Sequence, residues 1–286
     1  MGDIVYFNGA YVRREEARLS PLDRGFLYGY GLFETMRSYG GCIFRLDRHL
    51  ARLMRSAEQF ALAAALDPVE LEQAISKTLE ANKLSDARIR LTVSAGEGQR
   101  GLSPPTSGKA TIIVVAEKFA PSPSRIYEEG VCAAIVGTRR NSQSPLSRIK
   151  SLNYLDSLIA QSEAVTRGAD EAIMLNESGF VAEGSTSNIF LAVDGKLVTP
   201  SPESGILPGI TREAVLELAH ALGIAVVEGE IPPSDLLRAD EAFFTASVRE
   251  IVPVVMVDGK AIGSGKPGEV TRRLMAAYKE LVRKES

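Results

Sequence analysis

The hydrophobic pattern changes period along the chain, and each change marks an element. IVYFNGAYV reads as two short strands joined at Asn8-Gly9, a pair that favours a tight hairpin turn. GFLYGYGLFETMRSYGGCIFR is punctuated by glycine and rich in aromatics, and predicts strands around a tight loop at Tyr39-Gly40-Gly41. From Asp47 the spacing becomes three and four. Leu50, Leu53, Met54, Ala57 and Ala61 then share one helical face. Asp67-Pro68 opens a second helix, with Leu71, Ile75, Thr78 and Leu79 inward and an end near Asn82. ARIRLTVSAG and KATIIVVAEKF return to a strand pattern and pair. The first half is therefore an α+β domain, residues 1–120.

PSPSR, residues 121–125, is the interdomain linker, because proline there favours extended backbone. Residues 126–286 form the second domain. VCAAIVGTRR is a strand, and the polar loop NSQSPLSRI leads to Lys150. Leu155, Leu158, Ile159 and Val165 mark a helix closed by Gly168. EAIML, NIFLAV and KLVTP are strands, the last two joined at Asp194-Gly195. LPGITREAVLELAHALG is a helix with Pro208 and Gly209 at its start, Thr211 near the cap and Gly223 at its end. IAVVEGE, EAFFTAS and PVVMV are further strands, Asp258-Gly259 is another hairpin turn, and a last helix begins near Glu269. The second domain is strand-rich with helices packed on it.

Composition narrows the function. The chain has 286 residues, 45% of them hydrophobic and 24% charged, which is enough for a core that encloses a site. A net charge of −3 argues against nucleic acid as partner. Two cysteines, Cys42 and Cys132, suit a reducing compartment, and no secretory leader or membrane span is evident, so a cytoplasmic location is expected. The two histidines, His49 and His220, are far apart in sequence, which excludes a histidine-rich metal site.

Two glycine motifs mislead. Gly96-Glu-Gly98-Gln-Arg-Gly101 matches a dinucleotide fingerprint, but prolines 104 and 105 prevent the helix that such a motif must open, so it reads as a loop. GSGK at 263–266 lacks the upstream glycine of a phosphate loop. Lys150 lies between Ile149 and Leu152, either an ordinary solvated lysine, the reading its context alone favours, or a lysine in a partly apolar site that can act as a Schiff-base nucleophile. Glu183 stands in VAEGSTSNIF, either a surface acid in a polar turn or a carboxylate facing a cation. Pro208-Gly209-Ile210-Thr211 opens a helix, a start that suits an anion as well as an ordinary cap. Arg48, Arg52 and Arg55 form a basic stripe opposite the apolar face of the first long helix, either solvated or able to offer a guanidinium to a phosphate. Together these are what pyridoxal phosphate requires: a lysine for its aldehyde, a carboxylate for its ring nitrogen, and an arginine plus a helix start for its phosphate.

The sequence also resembles the fold-type IV, or class IV, pyridoxal-phosphate enzymes, which include branched-chain and D-amino-acid aminotransferases and 4-amino-4-deoxychorismate lyases. LSPLDRGFLYGYGLFETMR, RLDRHLARL, IKSLNYL, VAEGSTSNIF and GILPGITR carry the resemblance across nearly the whole chain. It implies a two-domain fold, a smaller N-terminal α/β domain and a larger strand-rich C-terminal domain that carries the cofactor lysine. It implies pyridoxal 5'-phosphate as cofactor, with Lys150 forming the Schiff base and moving protons at the substrate Cα. Glu183 would hold the pyridine nitrogen, and Arg52, Ile210 and Thr211 the phosphate. Tyr154 would contact the ring oxygen, Leu207 would pack beneath the ring, and Ser247 and Val248 would border the phosphate and the substrate carboxylate. Tyr28, Phe33, Thr35, Arg88 and Arg90 would line the substrate pocket. Arg88 and Arg90 share a strand face, which is either a solvated face or one that suits a carboxylate-rich substrate. Arg100 and Arg249 are further arginines near these segments.

The resemblance thus implies an aminotransferase moving an amino group between an amino acid and a 2-oxo acid, working as a homodimer without metal, membrane or nucleic acid. Thr35 leans instead towards the lyase, which would release pyruvate and p-aminobenzoate with the same Lys150. A small-molecule binding protein that has kept the fold and lost catalysis is a third reading, and the presence of Lys150 argues against it.

Overall fold

A computed structural model describes residues 3–98, 101 and 109–286. Arg100 and prolines 104 and 105 lie outside the described residues. The chain divides into two compact units. The first comprises residues 1–120, 149–153 and 284–286, and the second residues 121–148 and 154–283. The first boundary falls at the proline of PSPSR, but five residues around Lys150 belong to the first unit.

The first unit is a six-stranded antiparallel sheet backed by helices. In chain order its elements are β1 (Ile4–Phe7), β2 (Ala10–Arg13), α1 (Arg24–Tyr28), β3 (Gly31–Tyr39), β4 (Cys42–Ile43), α2 (Leu46–Gln59), α3 (Pro68–Ala81), β5 (Ala87–Ser94) and β6 (Thr111–Lys118). The strand order is β2-β1-β6-β5-β3-β4. Leu32, Met36, Ile89, Leu91 and Val93 point to one face of the sheet, where Leu53, Leu71 and Ile75 of the helices meet them in the core. Each such side chain, fully buried, contributes about 1.5–3 kcal/mol. Asp67 caps α3 by accepting from Val69 N at 2.8 Å, and Pro68 fills the first helical position.

Sequence reading missed α1. Its stability is tertiary: buried Asp23 accepts from Gly25 N at 2.8 Å, Thr111 Oγ1 at 2.8 Å and the hydroxyl of Ser94. Five residues without such an anchor would not hold a helix.

The second unit carries α4 (Arg125–Glu128), β7 (Val131–Arg140), α5 (Leu155–Thr166), β8 (Glu171–Asn176), β9 (Val181–Gly184), β10 (Asn188–Val193) and β11 (Lys196–Pro200). It continues through α6 (Ile210–Ala221), β12 (Val226–Gly229), α7 (Pro233–Arg238), β13 (Glu241–Ala246), β14 (Glu250–Val257), β15 (Lys260–Ala261) and α8 (Glu269–Glu285). The strands form one mixed sheet, order β12-β11-β10-β13-β14-β7-β8-β9, with β15 on β14. Its central strands are buried on both faces, and Phe190 and Phe243 stack in parallel at 5.1 Å.

Helix α5 corrects one expectation. Leu155, Leu158, Ile159 and Val165 do lie on a helix, but all four are exposed. The buried face is Ser157, Ala160 and Ala164, set against Ala134, Val136, Ala172 and Met174. Small residues on both sides allow the helix to approach the sheet closely, which turns the larger side chains outward.

Candidate active site

Strand alternation brings the candidates of the first unit together. On β3 and β5, Phe33 stands opposite Thr92, Thr35 opposite Arg90, and Arg37 opposite Arg88. All six share the sheet face turned away from the core. Residues 150–152 add to the free edge of β3: Phe33 N donates to Lys150 O and Leu152 N to Gly31 O, both at 2.9 Å. Ser151 bridges Leu32, so Lys150 falls beside Phe33 on that same face. Its Nζ lies 4.6 Å from the Phe33 ring centroid, and the Arg90 guanidinium carbon lies 3.8 Å from it. Lys150, Phe33, Thr35, Arg88 and Arg90 are thereby brought onto one surface. Gly31 is required there, because a Cβ would sit 2.5 Å from Val93 O and 2.6 Å from Leu152 Cδ1. Tyr28 is placed apart, exposed at the end of α1, its ring 6.0 Å from the Arg24 guanidinium carbon.

Beneath β3, on its core side, lies a charge cluster that sequence reading missed. Glu34 Oε1 accepts from Arg52 Nε at 2.8 Å, and Oε2 from Arg52 Nη2 at 2.6 Å and His49 Nδ1 at 2.7 Å. All three residues are buried. Arg52 therefore does not belong to a solvated stripe: Arg48 and Arg55 are exposed, whereas Arg52 points into the protein with His49. The Nε–Nη2 edge of Arg52 is held by Glu34. Burial would raise the Glu34 pKa, but the Arg52 charge and the His49 hydrogen bond outweigh it and hold it at about 2. Burial lowers the His49 pKa below its ordinary value, against the pull of Glu34. An ionised carboxylate only accepts, so Nδ1 carries the imidazole proton.

The second unit assembles the other candidates. Glu183, on β9, accepts from Arg140 Nε at 3.0 Å, Leu207 N at 3.0 Å and Asn188 Nδ2 at 3.3 Å. Asn188 Nδ2 also donates to Leu207 O at 2.8 Å. Glu183 and Asn188 thus fix the turn that leads into α6. The helix begins at Ile210, and its N-cap, Gly209, has no side chain to cap the first N–H groups. Thr211 is 2% exposed and its Oγ1 has no hydrogen-bond partner among the described residues. A buried hydroxyl left unpaired beside an uncapped helix start fits an anion, and a phosphate in particular. Gly209 cannot be replaced quietly: a Cβ would lie 2.0 Å from Asn188 Oδ1. Gly209→Ala is expected to weaken cofactor affinity about tenfold, the loss of one buried hydrogen bond. Equilibrium titration with pyridoxal phosphate measures it, and unchanged affinity would exclude this turn from the phosphate site.

Leu207, Ile210 and Thr211 thus stand together at the α6 start. Tyr154 precedes α5, and Ser247, Val248 and Arg249 form the turn between β13 and β14. Tyr154 and Arg249 line one cavity of about 260 Å³, along with Glu171 and Ser185. Arg140 and Asn188 are neighbours of Glu183 that the sequence reading missed. The only available hint was that TRR ends a strand and that Asn188 lies five residues beyond Glu183.

The model for amino-transferase class IV matches residues 31–257. A Methanocaldococcus jannaschii protein, provisionally named a branched-chain-amino-acid aminotransferase, is 41% identical over 278 residues, covering 97% of this chain and 96% of that one. The aminodeoxychorismate lyase of Bacillus subtilis is 36% identical over 282 residues, covering 98% and 95%. The solved branched-chain amino acid aminotransferase of Escherichia coli superposes with a TM-score of 0.95 at 33% identity, covering 100% of this chain and 96% of that one. The chain belongs to the class IV aminotransferases. It is a pyridoxal-phosphate-dependent enzyme that transfers an amino group between an amino acid and a 2-oxo acid.

Proposed function

We propose that Lys150 is the lysine that bonds the cofactor's aldehyde carbon and then moves the proton at the substrate Cα. The cofactor, when bound, supplies the electron sink that makes this proton acidic. The chain supplies the rest. Glu183, fixed by Arg140, Asn188 and Leu207 N, holds a proton on the ring nitrogen. The start of α6, through Ile210 and Thr211, takes the phosphate together with Arg52. Tyr154 reaches the ring oxygen, Leu207 supports the ring, and Ser247 with Val248 borders the substrate carboxylate. Phe33, Thr35, Arg88 and Arg90 face the substrate, with Tyr28 as a further contributor. The observation that carries this reading is the unpaired buried Thr211 hydroxyl beside an uncapped helix whose entry turn Glu183 fixes.

The amino donor in this reading is a branched-chain amino acid, as the names of the relatives suggest, and the apolar Phe33 ring supports it. A panel of branched-chain, acidic and D-amino donors tests it, with conversion of the cofactor to its amine form as readout. Branched-chain donors should react fastest. No conversion by any donor, combined with release of p-aminobenzoate from aminodeoxychorismate, would replace the reading with the lyase. The B. subtilis relative is the observation that favours that second reading.

The working form is a homodimer, and the exposed apolar row of α5 supports this. Leu155 is 66% exposed and Leu158 62%, beside Ile159 and Val165. Contiguous apolar surface of this kind marks an interaction site. Leu158→Asp is expected to shift the sedimentation profile from dimer to monomer while the unit stays folded. A profile that does not change would remove this face from the interface. The location in this reading is cytoplasmic: Cys42 and Cys132 are both free thiols. No helix among the described residues is long and apolar enough to cross a membrane.

A further inference from the structure

Glu171 is a buried carboxylate with no part in the chemistry above. It is 2% exposed, on β8, and hydrogen bonds set it against Ser185, two residues beyond Glu183. Ser185 donates to Oε1 twice, from its N at 3.1 Å and from its hydroxyl. Oε2 accepts from Arg249 Nη2. Arg249 is the third residue of the turn Ser247-Val248-Arg249, closed by Ala246 paired with Glu250. Glu250 takes φ +59, a left-handed conformation that is costly for a residue with a side chain. A turn with an unfavourable backbone angle needs an outside anchor to stay in one shape. The Arg249–Glu171 pair is that anchor, and it ties the turn to the segment that follows Glu183.

We propose that Arg249 is a positioning residue: held by buried Glu171, it fixes the Ser247–Val248 turn in the shape that receives the substrate carboxylate. This rests on the reading of Ser247 and Val248 given above. Arg249 acts through the turn, so its loss and that of Glu171 have one consequence. The pair also balances charge. Among the described residues Arg249 is the cation paired with Glu171, and truncating it leaves a buried carboxylate without its guanidinium.

Steady-state kinetics of Arg249→Ala, Arg249→Lys, Glu171→Gln and the double variant Arg249→Ala/Glu171→Gln test the proposal. Glu171→Gln retains the shape that Ser185 holds and removes only the charge, so it keeps the test open if Arg249→Ala folds poorly. KM for the amino donor should rise about 10- to 100-fold in Arg249→Ala and Glu171→Gln alike, as expected for a displaced binding element. The turnover number at saturation and the visible absorption of bound cofactor should stay near those of the unsubstituted protein. The double variant should be no worse than the weaker single one, and lysine at 249 should recover part of the loss. A rise in KM for Arg249→Ala with none for Glu171→Gln would overturn the proposal, because Arg249 would then touch substrate itself. Unchanged KM in both would overturn it too, as would loss of cofactor absorption in both. Ser247→Ala, measured alongside, separates the two readings: its KM rises if the turn borders the carboxylate, whether or not the clamp exists.

Discussion

Lys150→Ala is expected to lower transamination at least about 10³-fold, since it removes both the amine that bonds the cofactor and the group that moves the Cα proton. The segment that carries it is fixed by backbone hydrogen bonds to β3, so the substitution leaves the first sheet's pairing in place. Folding and thermal stability should therefore be nearly unchanged. Borohydride should fix cofactor to the unsubstituted protein at this residue and fix none to the variant. Arginine at 150 should be as inactive as alanine, because a guanidinium retains the charge but does not condense with an aldehyde. Appreciable turnover by either variant would mean that another amine does this work.

Glu34→Ala should have the largest effect on stability. It leaves Arg52 buried without its carboxylate, a loss of about 3–5 kcal/mol for breaking a buried pair. Calorimetry or denaturant unfolding measures it, and Glu34→Gln, which retains part of the hydrogen bonding, should lose less. Phosphate affinity should fall with it, because Arg52 loses the edge that orients it. A change below about 1 kcal/mol would show that the cluster is solvated. The same cluster sets an acid limit. With the folded pKa of Glu34 held at about 2, its contribution is complete above the ordinary value of 4.5 and is lost as pH falls towards 2. His49 acts in the same direction at higher pH: its folded pKa is below 6.5, so the unfolded chain binds the proton first and stability begins to fall below that pH. Glu34→Gln should flatten the acid limb between about pH 4.5 and 2, and a limb of unchanged slope would assign it to other groups.

Much of this fold was legible because its elements are regular. Asp67, Pro68 and Asn82 bound α3 where the cap residues predict, and the Asn8-Gly9, Asp194-Gly195 and Asp258-Gly259 turns fall where their dipeptides predict. Of the candidate site, Lys150, Glu183 and the α6 start were each ambiguous in their local setting, and only their combination with the family motifs singled them out. What escaped depends on partners distant in sequence. Arg52 repeats with Arg48 and Arg55 at helical spacing, and periodicity cannot say that Glu34, on another element, draws one of them inward. On α5 the large apolar residues outweigh alanine and serine in any pattern, yet the small ones meet the sheet, because only they allow the close approach to Ala134 and Ala172. Arg249 seemed unplaced because Glu171 precedes it by 78 residues.

The pairing of residues 150–152 with β3 also bears on how the nascent chain matures. The first 120 residues leave the ribosome with the Gly31–Phe33 edge bare, and its closing strand follows only after the roughly thirty residues from Ala120 to Ile149. At about 5–20 residues per second that interval lasts about 2–6 s. Until it ends, the unsealed edge is open to strands of other chains, so aggregation during synthesis should concentrate at the β3 edge.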